Sequence, residues 1–177
     1  MSRSVTSIKN EKKKKDISVI ILSAGLGHRM RSIEPRCLIK IGQKYLIEHQ
    51  IESLNGAFGE IEIIGVFGPH IEKILKKINN IRFVENQLYN ETNNSESLRL
   101  GLNNATNKNI LFIHGDIFFK QDIFKGVDFS HSFLILDGNN DLEDKEVGVT
   151  TRKDKIITLS YGLQKNGLRC VILPVKS

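Results

Sequence analysis

The sequence predicts an α/β fold, a three-layer α/β/α sandwich around a mostly parallel sheet. Three observations lead to this prediction. Apolar runs of strand length alternate with segments of helical periodicity, a pattern typical of a parallel sheet covered on both faces. The first run, residues 18–22, does not alternate between apolar and polar residues, so both of its faces are expected to be buried. After Phe119 the helical periodicity stops, and we expect antiparallel strands at one edge of a mixed sheet.

Eight apolar runs are predicted to be strands. Those before residue 119 are separated by helical segments, and those after it follow one another directly. Arg152-Lys153-Asp154 has the composition of a tight hairpin turn between two of the later strands. In chain order the predicted strands are 18–22, 61–66, 81–84, 109–113, 132–136, 146–151, 155–160 and 170–173.

Three segments have the spacing of amphipathic helices. The first covers 46–54 and is expected to end at the stop signal Asn55-Gly56. The second opens at Pro69, and the third covers 95–105 with Asn94 or Ser95 as its N-cap. The inward-facing residues are expected to be Ile47, Ile51, Leu54, Ile71, Ile74, Leu75, Ile78, Leu98, Leu102 and Ala105.

Charge and composition indicate one globular domain, residues 17–177, behind a basic tail, residues 1–16. The chain of 177 residues is 40% apolar and carries a net charge of +6, of which the tail contributes +4. The tail is expected to be a solvated, disordered lead-in. The alternative is that its lysine run, residues 12–15, binds RNA or an anionic surface. No aromatic side chains alternate with these lysines, so we do not expect nucleic-acid binding.

The lengths of the apolar runs also predict where in the cell the protein is located. None is long enough to cross a bilayer, and the first sixteen residues lack the apolar stretch of a signal peptide. We therefore expect a cytoplasmic protein without a membrane span. Cys37 and Cys170 have no metal-ligand spacing and suggest no disulfide framework.

A glycine-rich loop follows the first predicted strand. Gly25 and Gly27 allow a tight turn with exposed N–H groups, and Arg29 adds a cation that can fork onto phosphate oxygens. Met30 occupies the third glycine position of the dinucleotide fingerprint, and no Gly-Lys-Ser/Thr follows as in a Walker loop. The loop is therefore interpreted as a binding site for a nucleoside triphosphate of another kind.

Two further polar segments should lie close to this loop. In parallel sheets ligands bind beyond the carboxyl ends of the strands. That rule places the loop 25–29, the segment 86–97 and Asp116 on one rim of the sheet.

Several motifs in this order resemble nucleotidyltransferases of the GT-A type, which activate sugar phosphates or phosphocholine. The opening loop resembles the family's Leu-x-Ala-Gly-x-Gly-x-Arg-Met signature, with Ser23 where alanine is usual. Segment 35–38 is similar to Pro-Lys-x-Leu, segment 46–49 to Leu-Ile-Glu-x, and segment 92–98 to the Thr-Asn-Asn stretch of phosphocholine cytidylyltransferases. Gly115-Asp116 resembles the Gly-Asp that carries the metal-binding carboxylate. The resemblance implies a Rossmann-like GT-A fold, as in MobA-like NTP transferases.

The resemblance also implies a reaction and its residues. Such enzymes transfer a nucleotidyl group, CMP or another NMP, from NTP to a phosphorylated small acceptor and release pyrophosphate. Arg29, Arg36 and Asp116 would be catalytic, with Asp116 as the Mg²⁺ ligand. The nucleotide would be bound by Leu22, Ser23, Ala24, Gly25, Leu26, Gly27, Arg29, Asn93, Asn94 and Ser95.

Other interpretations of these residues stay open at this point. Arg29 could form a surface ion pair and Arg36 could be solvated. Asp116 could cap a helix over 117–124, and Asn93 and Asn94 could be turn and cap residues only. His28 and His114 are expected to be structural or exposed to solvent. The base and the acceptor are not determined by these motifs.

Three departures from the family pattern suggest a second hypothesis. Arg36 replaces the lysine of Pro-Lys, Tyr161 stands where an acceptor-binding lysine is common, and the chain stops before a later aspartate that shares the metal. The chain is thus expected to be shortened at its C-terminus relative to the family. The alternative function is a catalytically impaired nucleotide-binding relative, or one that depends on a second copy or a separate C-terminal chain.

Overall fold

The computed structural model describes residues 16–25, 35–68, 72, 74, 76, 78–137, 147–153, 155–161 and 168–176. The strands described are β1 (Ile17–Ser23), β2 (Lys40–Ile41), β3 (Lys44–Tyr45), β4 (Glu62–Phe67), β5 (Arg82–Glu85), β6 (Asn109–His114), β7 (Ile135–Asp137), β8 (Val147–Arg152), β9 (Lys155–Tyr161) and β10 (Leu168–Lys176). The α-helices with both ends among the described residues are α1 (Leu46–Phe58) and α2 (Asn94–Asn104), and Arg36–Leu38 and Gln121–Phe124 form 3-10 turns.

The main sheet has the strand order β5-β4-β1-β6-β10-β8-β9, with β7 paired to β10. The first four of these strands are parallel, and β10, β8 and β9 continue the sheet with antiparallel pairing. The predicted α/β class, with a parallel sheet and an antiparallel edge, is confirmed. The carboxyl ends of the parallel strands lie on one rim, because parallel strands run in the same direction.

Each face of the sheet has its own core. Val19 and Ile21 of β1 belong to a cluster that includes Ile47, Ile51 and Leu54 of α1. The alternate residues of β1 pack on the other face, where α2 contributes partly buried side chains. Burying each such aliphatic side chain contributes about 1.5–3 kcal/mol. The run 18–22 lacks apolar–polar alternation because both of its faces are covered.

Helix α1 continues beyond the predicted stop. Asn55 and Gly56 are helical, and the helix ends at Phe58 with Gly59 as its C-cap, whose φ of 78° suits glycine. The added turn buries Phe58 against Phe124, with ring centroids 4.8 Å apart. A Cβ atom on Gly56 would lie 1.9 Å from Gln121 Oε1, so Gly56 permits close packing rather than ending the helix.

Helix α2 differs from the prediction in its cap and its phase. Asn93 is the N-cap, and its Oδ1 accepts a hydrogen bond of 2.9 Å from Ser95 N. Ser97 and Gly101 are buried, whereas Leu102, predicted to face inward, is 38% exposed. A Cβ atom at Gly101 would lie 2.5 Å from Ile20 Cγ2. The helix therefore presents Gly101 to β1, which periodicity of apolar residues alone could not reveal.

The predicted second helix falls partly outside the described residues. Lys76 N donates to Glu72 O and Ile78 N donates to Ile74 O, which is the hydrogen-bond pattern of an α-helix. Ile74 and Ile78 are buried as expected, whereas Ile71 and Leu75 lie outside the described residues.

The later strands match their predicted positions within a few residues. Arg152 pairs with Lys155 across the β8–β9 hairpin, and Lys153 in the turn has a φ of 50°. The β2–β3 hairpin was not predicted. Residues 1–15 of the basic tail lie outside the described residues. Within the described ranges, no helix combines the length and the apolar character needed to span a membrane.

Candidate nucleotide site

A hollow of about 140 Å³ lies where β1 and β6 end. Segments far apart in the sequence meet there, as the position of the strand ends predicts. The hollow is lined by Leu22, Ser23, Gly25, Arg36, Cys37, Asn94, His114, Gly115 and Asp116. Among the residues predicted to bind nucleotide or metal, the structure thus brings together Leu22, Ser23, Gly25, Arg36, Asn94 and Asp116.

Gly115 allows the end of β6 to lie directly against the end of β1. Its N–H donates a hydrogen bond of 2.8 Å to Leu22 O. A Cβ atom at this position would lie 1.7 Å from Ser23 Oγ and 3.1 Å from Leu22 O. Because any side chain would push the two segments apart, the placement of Asp116 beside the β1 end depends on this glycine.

Arg36 and Asp116 form an ion pair across the hollow. Arg36 Nη1 donates to Asp116 Oδ2 at 2.7 Å, and the two side chains are 32% and 43% exposed. Arg36 begins a 3-10 turn whose next residues, Cys37 and Leu38, are buried and anchor it. Arg36 Nε is also buried and has no acceptor among the described residues. Among the described residues, Asp116 is therefore bound by Nη1 of the guanidinium, whereas its Nε donor is not used.

The structure decides two of the alternatives that the sequence left open, one for Arg36 and one for Asp116. Arg36 is not simply solvated, because it contacts Asp116. Asp116 does not cap a helix, since residues 117–120 are irregular and only Gln121–Phe124 forms a 3-10 turn, with Lys120 at its N-cap.

The Cys37 thiol lies in the wall of the hollow and is buried. Burial raises the pKa of this thiol to about 12, and the nearby Ser23 hydroxyl offsets only part of that rise. Ser23 Oγ itself is buried and makes no hydrogen bond of normal geometry among the described residues. Cys37 is therefore a neutral thiol at ordinary pH and is not suited to act as a nucleophile.

Asn86 braces the segment that carries Asn94. It is buried, and its Nδ2 donates to Thr92 Oγ1 at 3.2 Å and to Ser97 Oγ at 3.1 Å. Its Oδ1 accepts from Leu88 N at 3.1 Å. These bonds join the start of the segment to the first turn of α2, so Asn86 has a structural role.

Asn94 faces the hollow, but its neighbours face elsewhere. Asn93 and Ser95 line a separate, open polar surface together with Glu96 and Arg99. Arg99 and Glu96 form a two-point ion pair on that surface, with nitrogen–oxygen distances of 2.7 and 2.6 Å. A role for Asn93 and Ser95 in nucleotide binding stays a prediction.

The family follows from comparison with known proteins. Residues 19–127 match the model of the MobA-like NTP transferase domain. The chain belongs to this family. It is 34% identical over 122 residues to the choline-phosphate cytidylyltransferase of Streptococcus pneumoniae, a match that covers 64% of this chain and 53% of that protein. It therefore spans about half the length of this curated relative.

Further similarities agree with this membership. A 64-residue stretch is 42% identical to the bifunctional protein GlmU of Blochmanniella pennsylvanica, which covers 36% of this chain and 14% of that protein. The solved structure of the pneumococcal CTP:phosphocholine cytidylyltransferase superposes with a TM-score of 0.71 at 26% identity, covering 91% of this chain and 71% of that one. The inositol-1-phosphate CTP transferase from T. maritima has a TM-score of 0.73 at 20% identity, covering 90% and 70%, and supports the fold alone. The predicted family resemblance is confirmed.

The glycine-rich loop continues past Gly25 into residues that the structure does not describe. Leu26, Gly27, His28 and Arg29 lie outside the described residues. Their proposed contacts with phosphate stay predictions. Ala24 is buried and does not line the hollow. Its backbone packs closely against Gly68, where a Cβ atom would lie 2.4 Å from the Ala24 carbonyl oxygen.

The residues of the hollow are better suited to bind a metal ion together with a nucleotide than to bind a metal ion by themselves. The described residues contain no group of three His, Cys, Asp or Glu side chains able to hold a metal ion. Asp116 supplies one carboxylate to the described lining of the hollow. Mg²⁺ is often held by one or two carboxylates together with substrate phosphates and water. A single carboxylate, paired here with Arg36, is compatible with that arrangement.

Sequence reasoning assigned no role in the site to Gln50 and Cys37. It expected His114 to be structural or exposed to solvent, whereas the structure places His114 in the lining of the hollow. Gly115 was part of a recognised motif, but its close contact with Ser23 is visible only in three dimensions. Gln50 could have been noticed as a polar residue within the apolar stripe of α1.

Proposed function

We propose that this MobA-like chain is a nucleotidyltransferase that uses Mg²⁺. It would transfer CMP or another NMP from NTP to a phosphorylated small acceptor and release pyrophosphate. The observation that carries the proposal is the convergence of the β1 end, Arg36, Asn94 and Asp116 on one hollow. A nucleotide that carries a metal ion is bound by cations, N–H donors and a metal-binding carboxylate, and Arg36, Gly25 and Asp116 would supply these groups to the hollow.

The roles follow from the chemistry of phosphoryl groups. In-line attack at the α-phosphorus needs orientation of the reactants and neutralisation of negative charge, rather than covalent participation by the protein. Backbone N–H groups from Gly25 onward, together with Arg29, would bind the outer phosphates. The guanidinium of Arg36, whose side chain is 32% exposed, would bind oxygens of the α-phosphate. Asp116 would hold Mg²⁺, which when bound reduces the charge repulsion between phosphate and nucleophile.

The identity of the acceptor and of the base is proposed from the similarity to a known protein. The pneumococcal protein is a choline-phosphate cytidylyltransferase, and its similarity to this chain extends over 122 residues. That similarity supports CTP as the donor and phosphocholine as the first acceptor to test. Sugar phosphates are the next candidates, because the motifs of this chain resemble nucleotidyltransferases that activate sugar phosphates as well as phosphocholine. The amide of Asn94 would contact the base or the ribose.

The direct test is pyrophosphate release. The chain is incubated with each of the four NTPs and Mg²⁺, with phosphocholine, inositol 1-phosphate or glucose 1-phosphate as acceptor. We expect release with one donor–acceptor pair, abolished by EDTA and by Asp116→Asn. No release with any pair would contradict the proposal.

One observation supports a second candidate function, a nucleotide-binding relative without turnover. Asp116 is engaged by Arg36 at 2.7 Å, and no second carboxylate lines the described part of the hollow. A protein of this kind could bind nucleotide through Arg36 without loading a metal. Calorimetry with CTP distinguishes the two candidates, since binding of equal strength with and without Mg²⁺, and no pyrophosphate, would favour the second.

The departures from the family pattern noted in the sequence also suggest a variant of the second candidate, in which the chain needs a partner. Activity could depend on a second copy of the chain or on a separate chain that completes the site. Pyrophosphate release that rises more steeply than in proportion to protein concentration would support self-association, and strict proportionality would argue against it.

A further inference from the structure

Gln50 is a fully buried polar side chain beneath the turn that carries Asp116. It lies on α1 next to the core residues Ile47 and Ile51. Its Nε2 donates hydrogen bonds to His114 O at 3.0 Å and to Ile117 O at 2.7 Å. These two carbonyl groups stand on either side of Gly115 and Asp116, so one amide group connects both ends of the turn.

The orientation of the Gln50 amide follows from its neighbours. Both contacted groups are carbonyl oxygens, which only accept hydrogen bonds, so the NH₂ end must face them. The opposite end, Oε1, is buried without a partner among the described residues. An unpaired buried carbonyl oxygen is unfavourable. Core packing alone therefore does not explain a glutamine here, whereas the need to bind two turn carbonyls does.

The turn is held from two sides, and Asp116 lies between them. On the β1 side, Gly115 N donates to Leu22 O at 2.8 Å. On the α1 side, Gln50 binds the carbonyls before and after the Gly115-Asp116 pair. The Asp116 side chain is 43% exposed and contacts Arg36. Because this side chain is only partly covered, its direction depends on the turn backbone together with the contact to Arg36, and not on close packing.

We propose that Gln50 is a positioning residue, which fixes the 114–117 turn so that the Asp116 carboxylate points into the hollow. This inference rests on the proposed function, in which Asp116 meets a metal-loaded nucleotide. Gln50 itself contacts neither the hollow nor any reacting group, and it acts through the backbone of the turn.

The same helix offers a matched control. Ser53, one turn further along α1, donates from its Oγ to Phe119 O at 2.9 Å. It joins the same helix to the same segment, but three residues beyond Asp116. Ser53→Ala therefore removes a comparable bond without releasing the turn itself.

The test compares Gln50→Met with Ser53→Ala. Methionine has nearly the length and volume of glutamine but no donor. We expect faster amide hydrogen exchange at Gly115 in Gln50→Met and unchanged exchange there in Ser53→Ala. We also expect Mn²⁺ binding in the presence of CTP, followed by electron paramagnetic resonance, to weaken about 10–100-fold in Gln50→Met. Ser53→Ala should leave it unchanged.

The two measurements distinguish a failure of the positioning role from a failure of the proposed function. Equal effects of the two variants, or no effect of Gln50→Met on either measurement, would overturn the positioning role. If the unaltered chain binds no Mn²⁺ with CTP, the proposed function fails, while exchange at Gly115 still decides whether Gln50 holds the turn. Should Gln50→Met not fold, Gln50→Asn replaces it. Asparagine keeps the amide but is one methylene shorter, so it can reach at most one of the two carbonyls, and the same direction of change is expected.

Discussion

Arg36 Nη1 and Asp116 Oδ2 lie 2.7 Å apart, although the two residues are 80 positions apart in the chain. Both side chains are partly exposed. Exposed ion pairs contribute about 0–1 kcal/mol to stability, because solvent screens the charges and the side chains lose entropy. The pair is therefore easily opened by a ligand, and it can be altered without unfolding the protein.

Asp116→Asn should separate function from stability. Loss of the carboxylate charge is expected to lower pyrophosphate release by about 100-fold or more, the size of effect seen when one electrostatic contact to a transition state is removed. The free energy of unfolding in urea should change by less than about 1 kcal/mol. Arg36→Lys keeps the charge but loses the planar fork, so an intermediate rate is expected. Undiminished turnover by Asp116→Asn would argue against a catalytic role for Asp116.

Gly115→Ala should destabilise the fold. The added methyl group would lie 1.7 Å from Ser23 Oγ, which requires the β1 and β6 ends to separate. A loss of about 1–3 kcal/mol of unfolding free energy is expected, as for other overpacked sites. Urea denaturation measures it.

Gly25→Ala is the matched substitution on the other side of the hollow. A Cβ atom at Gly25 has no neighbour within 4 Å among the described residues, so we expect the stability not to change. If backbone N–H groups here approach phosphate, the methyl group should weaken CTP binding in calorimetry. Unchanged CTP affinity would remove Gly25 from the proposed phosphate contacts.

Gly101→Ala and Leu102→Ala test the phase of α2. Alanine favours the helix over glycine by about 1 kcal/mol, but a Cβ atom at Gly101 would lie 2.5 Å from Ile20 Cγ2. We expect the clash to dominate, with a net loss of unfolding free energy of about 1–2 kcal/mol. Leu102→Ala, at the more exposed position, should cost about 1 kcal/mol or less. The reverse order of the two losses would contradict the packing described for α2.

Glu62→Gln should change how stability depends on pH. Burial would raise the pKa of Glu62, but hydrogen bonds from Ser18 and Thr106 and the charge of Arg82 outweigh it, so the pKa lies below its usual 4.5. Because the folded-state pKa is lower than the unfolded-state pKa, ionised Glu62 stabilises the folded protein, and this contribution is fully present at pH values above the unfolded-state pKa. That contribution is lost as the pH falls through the folded pKa.

The expected result is a loss of about 1–3 kcal/mol in Glu62→Gln at pH 7, because a hydrogen-bonded carboxylate is replaced. The difference from the unaltered chain should shrink as the pH is lowered below about 4.5. Urea unfolding at several pH values measures both. Glu52→Gln is the control, since Glu52 forms an exposed pair with Lys44. An equal pH effect in both variants would show that the Glu62 network is not responsible.

The amino-acid sequence by itself determined the fold class and the order of the elements. The uninterrupted apolar run of β1 indicates a strand buried on both faces, and the alternation with helical segments predicts parallel neighbours. The ordered motifs identified the family, and the rule for strand ends predicted that Gly25, Asn94 and Asp116 would meet. These features are local patterns, or follow from the direction of parallel strands, so they can be recognised before any contact is known.

Only the tertiary structure decided which partners these residues meet. Gly56 does not end α1, because Phe58 gains a buried contact with Phe124 one turn later. Helix α2 turns Gly101 rather than Leu102 towards β1, because close approach to Ile20 leaves no room for a side chain. The bonds from Gln50 to the turn and from Arg36 to Asp116 join residues more than 60 positions apart. Periodicity describes one element at a time, whereas such contacts depend on how the packed elements fit together.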